Sequence, residues 1–139
     1  LRMYYVSFLP WEDNNGSYEP RYYIKIAESE DGIKWKKLNK TALGLQKNEI
    51  AVAKPSVYLD NKNINLFFCA RGQYYKIYQA TSKNGINFLR NKNALLLPSG
   101  NWDSQSQAYP YVFKVNNRLI MLYNGNKYGK TGLGFAELI

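Results

Sequence analysis

The 139-residue sequence contains no histidine and a single cysteine. Without imidazole there is no His-based nucleophile triad, no His general base and no zinc site built on His. One thiol excludes an internal disulfide framework and any four-thiolate metal centre. Cys69 stands in the apolar run LFFCA, where a buried, unreactive thiol is expected. Acidic residues are also scarce: ten Asp and Glu face nineteen Lys and Arg, a formal charge of +9. No run approaches the ~18 consecutive apolar residues of a membrane span. The opening LRMYYVSF lacks the basic start and long apolar stretch of a signal peptide. These absences favour the cytoplasm and call for no metal and no cofactor. The chain also opens without an initiator Met, which reads as a piece of something longer.

What is present is apolar and aromatic: 45% hydrophobic and 16% aromatic residues, with thirteen Tyr. That is enough to build one packed domain, and it favours strands over helices. The positive balance admits nucleic acid, an anionic surface or an acidic sugar as partner. Lys25, Lys34, Lys36, Lys37, Lys47, Lys62, Lys76, Lys83 and Lys92 are scattered, however, mostly among Asn-rich turns. Solvated strand edges and loops are their plain reading. No basic stripe interleaved with aromatics is visible, so nucleic acid is not the expected partner.

The chain repeats itself. AESEDGIKW (27–35) matches ATSKNGINF (80–88) at a shift of 53, and KPSVYLDNKNINLFF (54–68) matches YPYVFKVNNRLIMLY (109–123) at a shift of 55. Pro55 falls on Pro110, and Val57 on Val112. A period near 55 without helical patterning implies one small antiparallel sheet per repeat. In the middle repeat an inner strand spans 53–59, a second 64–71, a third 74–82, and a weaker fourth lies around 87–90 after the Lys83-Asn84-Gly85 hairpin signal. Asp31-Gly32 and Asn84-Gly85 are read as turn chemistry. Four antiparallel strands per unit describe a propeller blade. The expected divisions are 1–48 (a blade without its first strand), 49–102 (a complete blade) and 103–139 (a blade without its last), about two and a half blades in all. An open stack of this kind leaves blade faces uncovered. The missing blades would come from the N-terminal part of the same protein or from oligomerisation.

EPRYYIKIAESEDGIKW, KPSV, the ARG after the second strand, WDSQSQAYPYVF and MLYNGNKYGKTGLGFAEL together resemble the C-terminal part of five-bladed propellers similar to glycoside hydrolase family 43 and its relatives. The resemblance implies a sugar at the mouth of the central axis, held by the starts of the innermost strands and the loops leading into them. Glycoside hydrolysis needs two carboxyl groups flanking the scissile bond, and three candidates stand in such loops: Glu19, Glu49 and Asp103. Each also has a local structural alternative, with Arg21 as an ion partner for Glu19 and an Asx-turn for Asp103. The family's spelling of the last motif resembles WDSE; Gln105 stands here instead and cannot exchange a proton.

Arg21, Lys54, Arg71, Trp102, Gln105, Tyr109, Asn124, Asn126 and Tyr128 are the candidate sugar-binding residues, with Trp11, Tyr74 and Tyr75 as further stacking surfaces. GKTG is not a phosphate loop, because Asn124 replaces the first Gly of the Walker pattern and a strand follows. The expected function is that of a carbohydrate-active, glycosidase-like propeller, with a non-catalytic sugar-binding or scaffold propeller as the alternative. Without its early blades the chain alone is expected to show no turnover. Arg21, Lys54, Arg71 and Lys130 together suggest an anionic glycan.

Overall fold

A computed structural model describes residues 1–10, 13, 14 and 17–138. Trp11 and Glu12 lie outside the described residues. Among those described, every element is a strand apart from one helical turn at Asn126–Gly129. The first unit contains β1 (Arg2–Phe8), the short hairpin β2 (Asp13–Asn14) and β3 (Ser17–Tyr18), β4 (Tyr22–Glu28) and β5 (Lys36–Leu43). A meander follows: β6 (Ala51–Leu59), β7 (Ile64–Arg71), β8 (Tyr75–Ser82) and β9 (Leu89–Arg90), each antiparallel to its neighbour. The last unit is the antiparallel trio β10 (Ala108–Val115), β11 (Arg118–Asn124) and β12 (Leu133–Leu138).

Local chemistry dictates the repeats. Asp31 Oδ1 accepts the backbone N–H groups of Ile33 and Lys34, each at 2.8 Å, and Ser29 Oγ accepts that of Gly32 at 2.8 Å. Asn84 does the same for Ile86 and Asn87, at 2.9 and 3.0 Å, and Ser82 for Gly85 at 2.9 Å. Both glycines have positive φ, 78° and 69°, which a side chain would resist.

A second device recurs in β6 and β10. Lys54 and Tyr109 take positive φ (53° and 59°) immediately before Pro55 and Pro110. Proline offers no N–H to the ladder and pushes the preceding residue out of the right-handed region. The pairing accordingly slips between Ala53 and Ser56, and again between Ala108 and Tyr111. Past the kink, Ser56 Oγ accepts the Val112 N–H at 2.8 Å and ties β6 to β10.

Period-two alternation divides the β6–β9 sheet between two cores. Phe67, Cys69, Tyr75 and Ile77 pack with Val112, Met121 and Tyr123 of the last unit. Leu66, Phe68, Ala70 and Ala80 pack with Ile24 and Ile26 of the first. A side chain such as Phe68, with no exposed surface, contributes about 1.5–3 kcal/mol by burial. The β6–β9 strands are therefore a slab between slabs. The far face of β10–β12 has no neighbour among the described residues: Tyr111, Leu122 and Phe135 form one cross-strand row, 63%, 45% and 70% exposed.

The structure departs from the expected pattern in one place. The first two units are not separate antiparallel sheets; a parallel bridge between Tyr22 and Ala51 joins them. Its cause is convergence at one end, where the Tyr22 N–H reaches the Ile50 carbonyl at 3.2 Å. The weak fourth strand expected around 87–90 forms as the two residues Leu89–Arg90, whereas β5, its counterpart in the first unit, runs eight residues. No closed ring forms among the described residues.

Candidate functional site

The strands β4, β6, β8 and β10 begin, and β7 and β11 end, at the same end of the stack: Tyr22 bridges Ala51, Ala51 pairs with Arg71, Arg71 with Tyr75, and Ala108 with Asn124. A cavity of about 240 Å³ opens there. Its wall comes from Arg71, Tyr74 and Tyr75 at the β7–β8 turn, Gln105 and Ser106 ahead of β10, and Lys127 and Tyr128 of the helical turn. A larger hollow of about 740 Å³ runs along the β1–β4 edge. Its Arg2 and Glu28 are bound to each other, with Arg2 Nε donating to Glu28 Oε1 at 2.9 Å, and this leaves an ordinary surface groove.

Tyrosines dominate the mouth. The rings of Tyr75, Tyr109 and Tyr128 lie 6.0–6.1 Å apart, centroid to centroid. The Tyr22 and Tyr75 hydroxyls are hydrogen-bonded to each other. Burial, reinforced by that bond, pushes the Tyr75 phenol well above the ordinary tyrosine range, and burial also raises Tyr109. Both rings therefore stay neutral. Cations overlie them: Arg71 sits 5.7 Å from the Tyr75 centroid and Lys54 5.3 Å from that of Tyr109.

The backbone singles out the same place. Among the described residues, eight non-glycine positions have positive φ. Four are asparagines, which tolerate that region. The other four are Lys54, Tyr109, Lys127 and Tyr128. All four belong to this mouth, and such strain gathers where a surrounding structure over-determines a functional geometry.

Of the residues expected to bind sugar, Arg71, Gln105 and Tyr128 line the cavity, and Lys54 and Tyr109 adjoin it through the tyrosine cluster. Trp102 does not. Its indole stacks on Tyr123 at 5.5 Å and lies on a bed of glycines, where a Cβ on Gly134 would come within 2.2 Å of Trp102 Cη2. Asn126 is a brace: its side-chain oxygen accepts the N–H groups of Gln105 (3.0 Å) and Ser106 (2.8 Å), and its amide donates to the Asn101 carbonyl at 2.8 Å. Asn124 closes the helical turn by donating to the Tyr128 carbonyl at 3.1 Å. From that loop Lys127, not Lys130, reaches the cavity wall. Arg21 is half-buried beside β4, where its carbonyl accepts the Leu9 N–H at 2.8 Å.

The three carboxylates are not brought together at the cavity. Glu49 is gripped by both terminal nitrogens of Arg90, at 2.9 and 2.6 Å, on the sheet face that packs against the first unit. Arg90 in turn lies 4.3 Å from the Tyr78 centroid. Asp103 is fully buried and accepts from the backbone N–H groups of Ser99 and Gly100, the Ser99 hydroxyl, the Gln107 amide and the Tyr123 hydroxyl. Burial opposes its ionisation, but those donors outweigh it and hold the carboxyl below its usual range. As placed, Glu49 is an ion-pair partner and Asp103 a loop clasp. Glu19 is exposed ahead of β4.

Four mouth residues escaped the sequence reading: Tyr22, Gln73, Ser106 and Lys127. Tyr22 alternates with core residues along β4, and only its pairing with Tyr75 marks it out. Lys127 is one cation among many until its backbone strain is seen.

No family model matches the chain. An uncharacterised protein of Mycobacterium tuberculosis (strain CDC 1551 / Oshkosh) is 36% identical over 140 residues, covering 99% of this chain and 46% of the relative; its counterpart in a second strain matches equally. The chain thus spans about half the length of these curated relatives. Among solved structures, a glycoside hydrolase superposes with a TM-score of 0.75 at 17% identity, over 98% of this chain and 40% of that one. A GH32 β-fructofuranosidase of Bombyx mori gives 0.74 at 16% identity, over 98% and 31%. A family 117 glycoside hydrolase from Zobellia galactanivorans gives 0.66 at 18%, over 84% and 37%. The chain therefore has the all-β fold of glycoside hydrolase domains; at these identities the likeness is one of fold alone.

Proposed function

We propose that the chain is about two and a half blades of a five-bladed, glycosidase-like propeller, and that its mouth binds a glycan. The observation carrying this reading is the Tyr75–Tyr109–Tyr128 cluster beside Gln105 and Arg71. Flat apolar faces next to a few hydrogen-bonding groups suit a polyol ring with C–H and O–H sides. On this reading the divisions are 1–48, 49–102 and 103–139, one whole blade between two partial ones. The open face of β10–β12 supports cover by a further sheet from the N-terminal part of the same protein, and relatives of about twice this length leave room for one.

Hydrolysis requires two carboxyl groups across the scissile bond. None lines this cavity among the described residues. That favours a division of labour in which this part holds the sugar while the reacting carboxylates, Glu19 or groups beyond these residues, come from elsewhere. The same observation, with Gln105 in place of an acid, favours the non-catalytic binding propeller as second reading.

A glycan panel applied to the protein in its full natural length tests the proposal. Binding is expected, and it should weaken about tenfold in Tyr109→Asn, which keeps the positive φ but removes the ring. Absence of any glycan response, or equal binding by the variant, overturns it. Turnover that survives in wild type but vanishes in Glu49→Gln, with folding intact, would return Glu49 to the catalytic machinery.

A further inference from the structure

We infer that the mouth carries an anion subsite, in which Arg71 and Lys127 hold a carboxylate or phosphate group borne by the sugar. The inference rests on the glycan-binding reading of the same cavity. Its starting point is a contrast among the arginines. Arg2 is matched by Glu28, Arg90 by Glu49 and Arg118 by Glu137, each pair through two nitrogens. Arg71 has no carboxylate partner among the described residues. Its Nε is enclosed and makes no hydrogen bond, and its guanidinium lies against the Tyr75 ring. A guanidinium partly withdrawn from water is normally paired with an anion. Here the face it presents opens into a cavity instead.

The rest of the wall fits an incoming anion. It contains a second cation, Lys127, and only neutral groups besides: Gln73, Tyr74, Tyr75, Gln105, Ser106 and Tyr128. Lys54 stands over the adjoining Tyr109 and adds to the same positive field. Tyr75 remains a protonated phenol and so does not oppose a negative charge. The planar Arg fork binds two oxygens of a carboxylate or phosphate at once, which a neutral hydroxyl pair matches less strongly. The volume corresponds to roughly eight waters, one sugar ring with its substituent.

Calorimetric titration of the full-length protein decides the matter. The probes are galacturonate oligomers, the matching neutral galactose oligomers, a hexose 6-phosphate, and inorganic phosphate and acetate alone. Acidic oligomers or the sugar phosphate should bind at least about tenfold more tightly than neutral ones, and the better of the two identifies the anion. Arg71→Lys should shrink that preference, and Lys127→Asn, which tolerates the positive φ, should shrink it without unfolding risk. Raising the salt should weaken acidic binding selectively. Equal binding of acidic and neutral sugars, unmoved by either variant, removes the anion subsite and leaves the glycan reading standing. Phosphate or acetate binding without any sugar response overturns both the glycan reading and the sugar-borne anion, and leaves an adventitious ion only. No binding by any probe overturns both.

Discussion

Asp103 shows how a single residue can look catalytic in a sequence and be structural in the fold. A carboxylate in WDS, ahead of an inner strand, has the right type and place; its five donors and complete burial are invisible until the chain is folded. Because the folded state holds this carboxyl below its unfolded range, its contribution is complete above the ordinary value near 4 and is lost as pH falls through the folded-state value. Denaturant melts should therefore show stability falling below about pH 4, and Asp103→Asn should cost about 1–3 kcal/mol at neutral pH while flattening that acid slope. An unchanged slope in the variant would mean other groups carry it. Cys69 offers a simpler check. Burial pushes its thiol up to about 12, so it should resist thiol reagents near neutral pH in the native protein and react fully once unfolded. Its burial was legible from LFFCA. The Glu49–Arg90 pair was not, because 41 residues separate the partners and no local pattern links them.

At the scale of elements, legibility followed the strength of local signals. β7 occupies the residues 64–71 that alternation and its bounding turns indicate. The Asp31 and Asn84 turns form the hydrogen bonds their side chains dictate. The parallel bridge at Tyr22 and the β2–β3 hairpin were not legible, since both depend on how loops meet in space. The glycines after β11 serve packing: Gly125 and Gly134 make room for Trp102. Gly134→Ala should accordingly destabilise by roughly 1–3 kcal/mol through overpacking. In a Trp102→Leu background the added methyl should cost clearly less, a coupling that a double-mutant cycle in chemical denaturation would measure. Additive costs would show that the indole is not what excludes the methyl.

For the whole molecule, the governing fact is that slabs pack on slabs and one slab face lies bare. Tyr111, Leu122 and Phe135 on β10–β12 form an apolar row of the kind that drives association when left uncovered. A preparation limited to these 139 residues should self-associate, and Phe135→Lys should raise the monomer fraction seen by analytical ultracentrifugation. A chain that stays monomeric at high concentration, or a variant without effect, would count against that face. The kinks at residues 54 and 109 carry a different consequence. What the two repeats share is a backbone gesture, a left-handed residue before proline, while the side chain it aims at the mouth is Lys in one and Tyr in the other. On the proposed reading, exchanging the side chain at 54 or 109 should alter ligand preference while the proline-linked kink that presents it stays as it is.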